Sequence, residues 1–218
     1  MSDLPTTWTT EQFADVADYA IGRTPARANS SYWEDDGANV AWVAISDMKP
    51  HGLVRQTKES ISGRAFREVF GGRAAPAGTL LMSFKLTIGR VAVLGIPACH
   101  NEAIMSIYPR AGVNRRYLGY YLSSLNYADY HDRQIKGNTL NKAKIDRLPI
   151  VLPPEPEQEA IADVLDLIVR ASGTAARLVA LTDSLRVSAM SELMSGRLRT
   201  ESLDLAAFER VAALGIGE

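Results

Sequence analysis

The residues that could do covalent chemistry in this 218-residue chain are few and scattered. His51, His100 and His131 stand in unrelated segments beside turn residues, where a surface or structural role is the ordinary reading. Cys99-His100 is the one nucleophile-and-base pair, but neighbours on a strand are expected to point to opposite faces, which argues against catalysis there. Glu34-Asp35-Asp36 precedes Gly37 in a polar stretch that reads as a solvated loop. The sequence lacks a phosphate-cradling Gly-rich loop ending in Lys-Ser/Thr, a Gly-x-Gly-x-x-Gly turn, a His-Glu-x-x-His pair and a Gly-x-Ser-x-Gly elbow. Its only Pro-Pro pair lies in Leu152-Pro153-Pro154-Glu155, not in the Asn/Asp-Pro-Pro-Tyr/Phe setting a DNA methyltransferase needs. A single cysteine can build neither an internal disulfide nor a thiolate metal site. The expectation is a chain with no catalytic residue, no metal and no cofactor of its own.

Binding chemistry is better represented. Gly22-Arg23-Thr24-Pro25, followed by Arg27 and Asn29, forms a basic, turn-rich loop suited to phosphate contacts. Lys85-Leu86-Thr87-Ile88-Gly89-Arg90 joins two apolar runs with a cation at each end and the Thr87 hydroxyl between. Lys136-Gly137-Asn138-Thr139-Leu140-Asn141-Lys142-Ala143-Lys144 offers ammonium, amide and hydroxyl donors on a loop that runs into a helix start, with Asn138 or Thr139 as the expected cap. Arg and Lys suit guanine O6 and N7, Asn suits adenine N6 and N7, and the remaining donors suit phosphate oxygens. Arg23, Lys85, Thr87, Arg90, Lys136, Asn138, Thr139, Asn141 and Lys142 are therefore the candidate DNA contacts.

The charge distribution agrees. Overall the chain carries a net charge of −1, yet residues 1–150 hold 18 Lys and Arg against 14 acids, and residues 151–218 hold 6 against 11. Within 49–116, eleven basic residues face only Glu59, Glu68 and Glu102, an excess that would attract a phosphate backbone if it gathers on one face.

These candidates need a scaffold, and the punctuation supplies one. Twelve of the 16 Gly fall at or before Gly137 and all ten Pro at or before Pro156, so the front is turn-rich and the back helical. Val40–Ile45, Thr79–Phe84, Val91–Leu94, Ile104–Tyr108 and Ile150–Leu152 are β-branched or aromatic runs bounded by turn residues and predict strands. Tyr117, Leu118, Tyr121, Leu122 and Leu125 follow Asn114 at helical spacing, and Leu140–Leu148 fits a short helix. The Tyr-rich face reads as core. The fold class is a mixed α/β domain over residues 1–153.

Pro153-Pro154-Glu155-Pro156-Glu157-Gln158-Glu159 halts the last strand and presets an acidic first helical turn; Ser195-Gly196 supplies the stop. Between them Ile161, Ile168, Ala175, Thr182 and Ala189 recur every seventh residue, with Val164, Ala171, Leu178 and Leu185 three further on. This is a heptad seam, widened by Leu165, Val179 and Leu193 on one flank and Leu167 and Leu181 on the other. Small residues around Gly173 allow a kink or a fold-back there. About 38 residues would extend about 57 Å, more than a compact domain covers, so the seam calls for a partner helix.

Taken in order, these pieces resemble the DNA-specificity subunit of type I restriction-modification systems. The resemblance rests on Trp8 with Phe13–Asp18; Gly22–Arg27 followed by Tyr32-Trp33; Val40–Met48; Gly78–Ser83; Thr87–Ala92; Asn101–Ala103; Gly137–Thr139; Leu148–Ala162; and a heptad helix closing in Leu193-Met194-Ser195-Gly196-Arg197. It covers the chain to about residue 199. Cys99-His100-Asn101-Glu102 stands where the family often has an Asn-Gln pair, and Pro156 departs from the commoner Pro-Leu pattern.

The resemblance implies a DNA-binding target-recognition domain (1–153), a conserved spacer and dimerisation helix (154–199) and a C-terminal extension (200–218). The usual subunit carries two such domains and two helices, so this chain reads as a half-length form. Two copies would pair their helices as an antiparallel coiled coil through Ile161, Val164, Ile168, Ala175, Leu178 and Leu185, giving a symmetric homodimer. Each copy would read one half of an interrupted palindromic site on double-stranded DNA, the half-sites standing about one to two turns apart. The implied partners are a methyltransferase subunit, which supplies the S-adenosylmethionine chemistry, and a restriction subunit in some assemblies. Because the sequence shows no targeting segment or apolar run of membrane-spanning length, the expected setting is cytoplasmic with no membrane partner. The competing reading is a protein-interaction scaffold that uses the long helix without reading DNA. A third, a self-contained nuclease, would cleave DNA with a metal and no partner.

Overall fold

In the computed structural model, residues 4–130, 140–199 and 206 are described. The chain divides between Asp166 and Leu167 into two units. The first contains the mixed α/β architecture expected from the sequence. Its elements in order are β1 (Thr9–Gln12), α1 (Phe13–Val16), β2 (Ala17–Ile21), β3 (Val40–Val43), β4 (Gly52–Val54), β5 (Glu59–Ile61), α2 (Gly63–Phe70), β6 (Leu80–Ser83), β7 (Val91–Leu94), β8 (Cys99–His100), β9 (Ile104–Pro109), α3 (Arg115–Ser124), α4 (Lys142–Asp146), β10 (Pro149–Leu152) and α5 (Glu155–Met194).

Three sheets organise it. The largest has the order β2-β9-β6-β7-β4, antiparallel except where β4 runs parallel to β7. A smaller sheet, β5-β3-β8, mixes an antiparallel β3–β5 pair with a parallel β3–β8 pair, and β1 pairs antiparallel with β10. The largest sheet packs one face on α3, α4 and α1 through Phe13, Leu80, Met82, Met105, Ile107, Leu118, Leu122 and Ile145. Its other face contributes Leu81, Ala92, Leu94 and Ile104 to a second cluster with Val43 and Met48. Alternation along β6 thus sends Leu80 and Met82 one way and Leu81 the other, as a strand period of two requires. Both faces are buried, which is why Leu80, Leu81 and Met82 are all apolar, and the strand closes on the buried Ser83.

The helix starts are locally encoded. Asn114 Oδ1 accepts the Arg116 and Tyr117 N–H groups to cap α3, and Ser62 Oγ accepts the Ala65 N–H to cap α2. Asp36 is more than a solvated loop residue: its carboxylate accepts the Gly63 and Arg64 N–H groups at the start of α2. These bonds hold its carboxyl below the ordinary range. The expected helix over 140–148 is realised as α4, capped by Asn141 through the Lys144 N–H; Asn138 and Thr139, the expected caps, lie outside the described residues.

Helix α5 is continuous from Glu155 to Met194, so the break and fold-back that the small residues around Gly173 allowed do not occur. Gly contributes only about 1 kcal/mol of helix cost, too little to break a helix of this length. It ends where Gly196 turns to a φ of 72° and the Leu198 N–H reaches back to the Glu192 carbonyl. The root of α5 lies in the first unit, where Gln158 and Ala162 are buried. Gln158 accepts the Asn114 N–H at 2.8 Å and donates to the Gly112 and Pro153 carbonyls at 3.0 and 2.9 Å. Arg116 spans Asp163 and Asp166 at 2.6 and 2.7 Å, and Tyr120 donates to Asp166. In the second unit the seam residues Ile168, Leu178 and Leu185 are exposed, as are Leu167, Val179, Leu181 and Met190. No helix among the described residues is long and apolar enough to cross a membrane.

Candidate nucleic-acid interface

The basic loop that follows β2 is held from several directions. Gly22 passes so close to the β8–β9 connection that a Cβ there would meet the His100 and Asn101 carbonyl oxygens at 2.1 and 2.3 Å. Only glycine allows that approach. The Gly22 and Arg23 N–H groups donate to the Ile104 and His100 carbonyls, the Arg23 carbonyl accepts the Trp42 indole N–H at 3.0 Å, and Arg23 Nη1 donates to the Val69 carbonyl near the end of α2. Further along, Thr24 Oγ1 donates to the Glu102 carboxylate, and Arg27 lies over the Trp33 ring at 3.7 Å while pairing with Glu59. The loop is thereby fixed before any partner arrives.

Glu102 links this loop to the β6–β7 hairpin. Its carboxyl sits below the ordinary glutamate range, chiefly through the Thr24 hydrogen bond and also through the nearby Lys85 ammonium. Phe84, beside Lys85, is buried; its N–H donates to the Ala103 carbonyl and its carbonyl accepts the Leu140 N–H. Those two bonds bring the hairpin, the Glu102-Ala103 turn and the entry to α4 together. On α4, Lys142 reaches Asp146 at 3.0 Å and the Tyr19 hydroxyl at 3.4 Å, and Tyr19 belongs to the strand that leads into Gly22-Arg23. The three cations Arg23, Lys85 and Lys142 thus stand on elements tied to one another by hydrogen bonds, but on different surfaces. Arg23 borders the cleft beside the end of α2, and Lys142 borders a second cleft with Tyr19, Arg110 and Asp146.

Other candidates are placed differently. Thr87 is exposed on the hairpin. Arg90, at its base, points its guanidinium to the Ile45 carbonyl at 3.2 Å and braces the turn after β3. Asn141 uses its side-chain oxygen as the α4 cap. Lys136, Asn138 and Thr139 lie outside the described residues, as does His131. The positive excess over 49–116 is partly spent on internal pairing: Arg64 with Glu68, Arg110 with Asp18 and Arg116 with the α5 carboxylates. Arg115 donates to the Gly78 carbonyl.

Beside the Gly22 loop lies a cleft of about 580 Å³ between β2, β9 and the end of α2. Arg23, Arg73 and Tyr108 border it, and His100 and Cys99 both line its wall, so the two neighbours share one cleft although opposite faces were expected of them. Cys99 is buried and burial pushes its thiol up to about 12, while burial lowers the His100 pKa. At neutral pH both are uncharged, which suits a wall and not a nucleophile with its base. Arg73 and Tyr108 are additions that the sequence pattern did not single out. The signals were weak: Arg73 follows the paired glycines Gly71 and Gly72 that end α2, and Tyr108 is the outward residue of an otherwise buried strand. Among the described residues, no group of three or more His, Cys, Asp and Glu is arranged to hold a metal ion.

Comparison with known proteins gives a consistent picture. Residues 5–178 match the family described as the type I restriction modification DNA specificity domain. The chain is 27% identical over 167 residues to the type I restriction enzyme MjaIX specificity subunit of Methanocaldococcus jannaschii, covering 74% of this chain and 38% of that protein. Among solved structures, it is similar to a chain from work on complex assembly and conformational transition of the type I R-M system, with a TM-score of 0.66, 23% identity, and coverage of 84% of this chain and 43% of that one. It is also similar to the HsdS subunit from Thermoanaerobacter tengcongensis, with a TM-score of 0.59, 22% identity, and coverage of 79% and 40%. The chain thus spans about two fifths of the length of the relatives it matches. With the match extending from the first strand into the long helix, this chain belongs to the type I restriction-modification DNA-specificity family.

Proposed function

We propose that this chain is a DNA-reading specificity subunit, non-catalytic itself, that directs a methyltransferase partner to one half of a bipartite site. The observation that carries the reading is the match of residues 5–178 to the specificity family; the hydrogen-bonded Gly22–Arg27 loop, the Lys85 hairpin and Lys142 are the basic elements of that domain that support it. Residues 1–153 act as the recognition domain and 154–199 as the spacer helix, with 200–218 an appended extension. Arg23 and Arg73 read base edges or phosphates from the cleft rim, and Lys85 and Lys142 hold the backbone in register. The partner supplies S-adenosylmethionine and the transfer chemistry, and a restriction subunit joins in some assemblies. The setting is the cytoplasm, where the target DNA is accessible.

The exposed seam of α5 supports the second element of the proposal. Val164, Ile168, Leu178 and Leu185 are each more than half exposed, an apolar stripe that costs free energy in water unless another helix covers it. A second copy of the same helix, antiparallel, covers like with like and sets two recognition domains about a two-fold axis. The target of such a dimer is palindromic and interrupted.

The test is a salt titration of duplex binding by the chain in complex with its methyltransferase partner. The expected result is affinity that falls steeply with salt, and a Lys85→Gln variant that binds all sequences more weakly with a slope reduced by about one. Absence of DNA binding in the complex, or binding indifferent to salt, would overturn the reading in favour of a protein scaffold.

A further inference from the structure

The β6–β7 hairpin carries an apolar residue that combines exposure with an unfavourable backbone conformation. Leu86 is 74% exposed at the hairpin tip and holds a φ of 64°. A branched side chain in the left-handed region is disfavoured, because its Cβ crowds the following carbonyl. Exposure and backbone strain at one residue both work against the isolated fold, and such a combination is a pointer to use.

Everything beneath the tip is anchored. Phe84 is buried, and the Ser83 N–H donates to the Arg90 carbonyl at 3.0 Å while the Gly89 N–H donates to the Ser83 carbonyl at 2.9 Å. Ser83 Oγ accepts the Arg90 N–H and donates to the Thr87 carbonyl. Gly89 has no Cβ, and the Tyr127 ring takes that space; Tyr127 in turn donates to the Leu122 carbonyl at 2.6 Å. The exposed part is one leucine flanked by Lys85 and Thr87, a single apolar prong beside a cation and a hydroxyl. A protein-docking site would gather a contiguous apolar patch. A stack of base pairs with phosphates alongside takes one prong and the adjacent ammonium.

We propose that Leu86 is a wedge that inserts between adjacent base pairs of the target duplex, while Lys85 holds the neighbouring phosphate. The inference rests on the DNA-reading role proposed above and adds a means of reading by deformability. Apolar wedges unstack and kink a step, and pyrimidine–purine steps yield most easily. The recognised site would therefore carry such a step opposite the hairpin, selected without hydrogen bonds to its bases.

The experiment uses the complex with the methyltransferase and a duplex bearing the methylated site, with 2-aminopurine placed successively along the half-site. Leu86→Gly removes the wedge and relieves the backbone, so folding is preserved; Leu86→Met keeps an apolar prong. Wild type and Leu86→Met should raise the fluorescence at one step, and Leu86→Gly should abolish that rise and weaken binding about tenfold or more, with methyltransferase association unchanged on gel filtration. Equal affinity and equal fluorescence for Leu86→Gly and wild type would overturn the wedge while leaving DNA reading intact. Loss of methyltransferase association in Leu86→Gly would assign the residue to a protein contact instead. A wild-type complex that binds no DNA would remove the proposed function and the wedge with it.

Discussion

Gln158 offers the most direct test of how the root of α5 is built into the recognition domain. It is 1% exposed and makes three hydrogen bonds, to the Asn114 N–H and the Gly112 and Pro153 carbonyls. Gln158→Ala removes all three, and each is worth about 1 kcal/mol net. The larger cost falls on the groups left behind, since a buried unpaired polar group costs about 1–3 kcal/mol. The Pro153 carbonyl is enclosed and the Asn114 N–H half so, which together with the lost packing gives about 4 kcal/mol. For a chain of this size that corresponds to a fall of about 8–16 °C in Tm. Near-UV circular dichroism during thermal and urea unfolding reads it, because the Tyr-rich α3 that Asn114 caps lies beside the lost contact. Gln158→Glu is the sharper variant. It keeps an acceptor for Asn114 but sets a carboxylate against two carbonyl oxygens, so its folded pKa rises above about 4.3. The variant should be least destabilised below that pH and progressively worse as pH climbs through the raised value. Glu157→Ala loses only an exposed bond from Trp8 and should shift Tm little. A change of under about 2 °C for Gln158→Ala would refute the reasoning, since one hydrogen bond alone would exceed it.

Further expectations follow from other contacts. Gly22→Ala drives a Cβ into two backbone carbonyls that cannot swing aside, so overpacking of about 1–3 kcal/mol and loss of site-specific binding should appear together in urea unfolding and filter-binding assays. His100 is neutral in the fold because burial lowers its pKa, so the unfolded chain takes up the proton first. Its contribution to stability is complete above about 6.5 and is lost as pH falls below that value, before the carboxylates begin to titrate near 4.5. The urea midpoint should therefore decline between pH 7 and 5, and His100→Gln should lessen that decline; an unchanged pH profile would contradict it. Leu178→Asp with Leu185→Asp should convert a dimer to a monomer in sedimentation velocity without altering near-UV dichroism, whereas a monomeric wild type would end the pairing proposal.

The long helix was the most legible part of the chain. Its seven-residue period, the Pro153-Pro154 start and the Ser195-Gly196 stop are all local signals, and α5 follows them closely. Strands β6, β7, β9 and β10 were equally clear because their apolar runs are buried on at least one face. Strands β1 and β2 were not, since Thr9–Gln12 is wholly exposed and Ala17–Ile21 mixes Asp18 and Ala20 into an edge strand that pairing with β9 holds in place. Helix α2 hid behind Gly63 and two arginines; its capping by Asp36 comes from 27 residues away and has no local signature. At the candidate interface, residue types and loops could be read, but their engagement could not. Nothing local says that Arg90 turns to Ile45 or that Glu102 ties Thr24 to the neighbourhood of Lys85, and the Asn141 cap of α4, though a local signal, stood among other Asn and Thr candidates. The resemblance, carried by the order of the motifs and not by any one contact, placed the chain in the family that residues 5–178 match.

The most direct measurement is single-molecule methylome sequencing of the host DNA with this gene present, deleted and restored, the methyltransferase gene being kept throughout. The account requires one interrupted palindromic motif to be methylated when the gene is present, to vanish on deletion and to return on restoration. Methylation that persists unchanged in the deletion strain would contradict it.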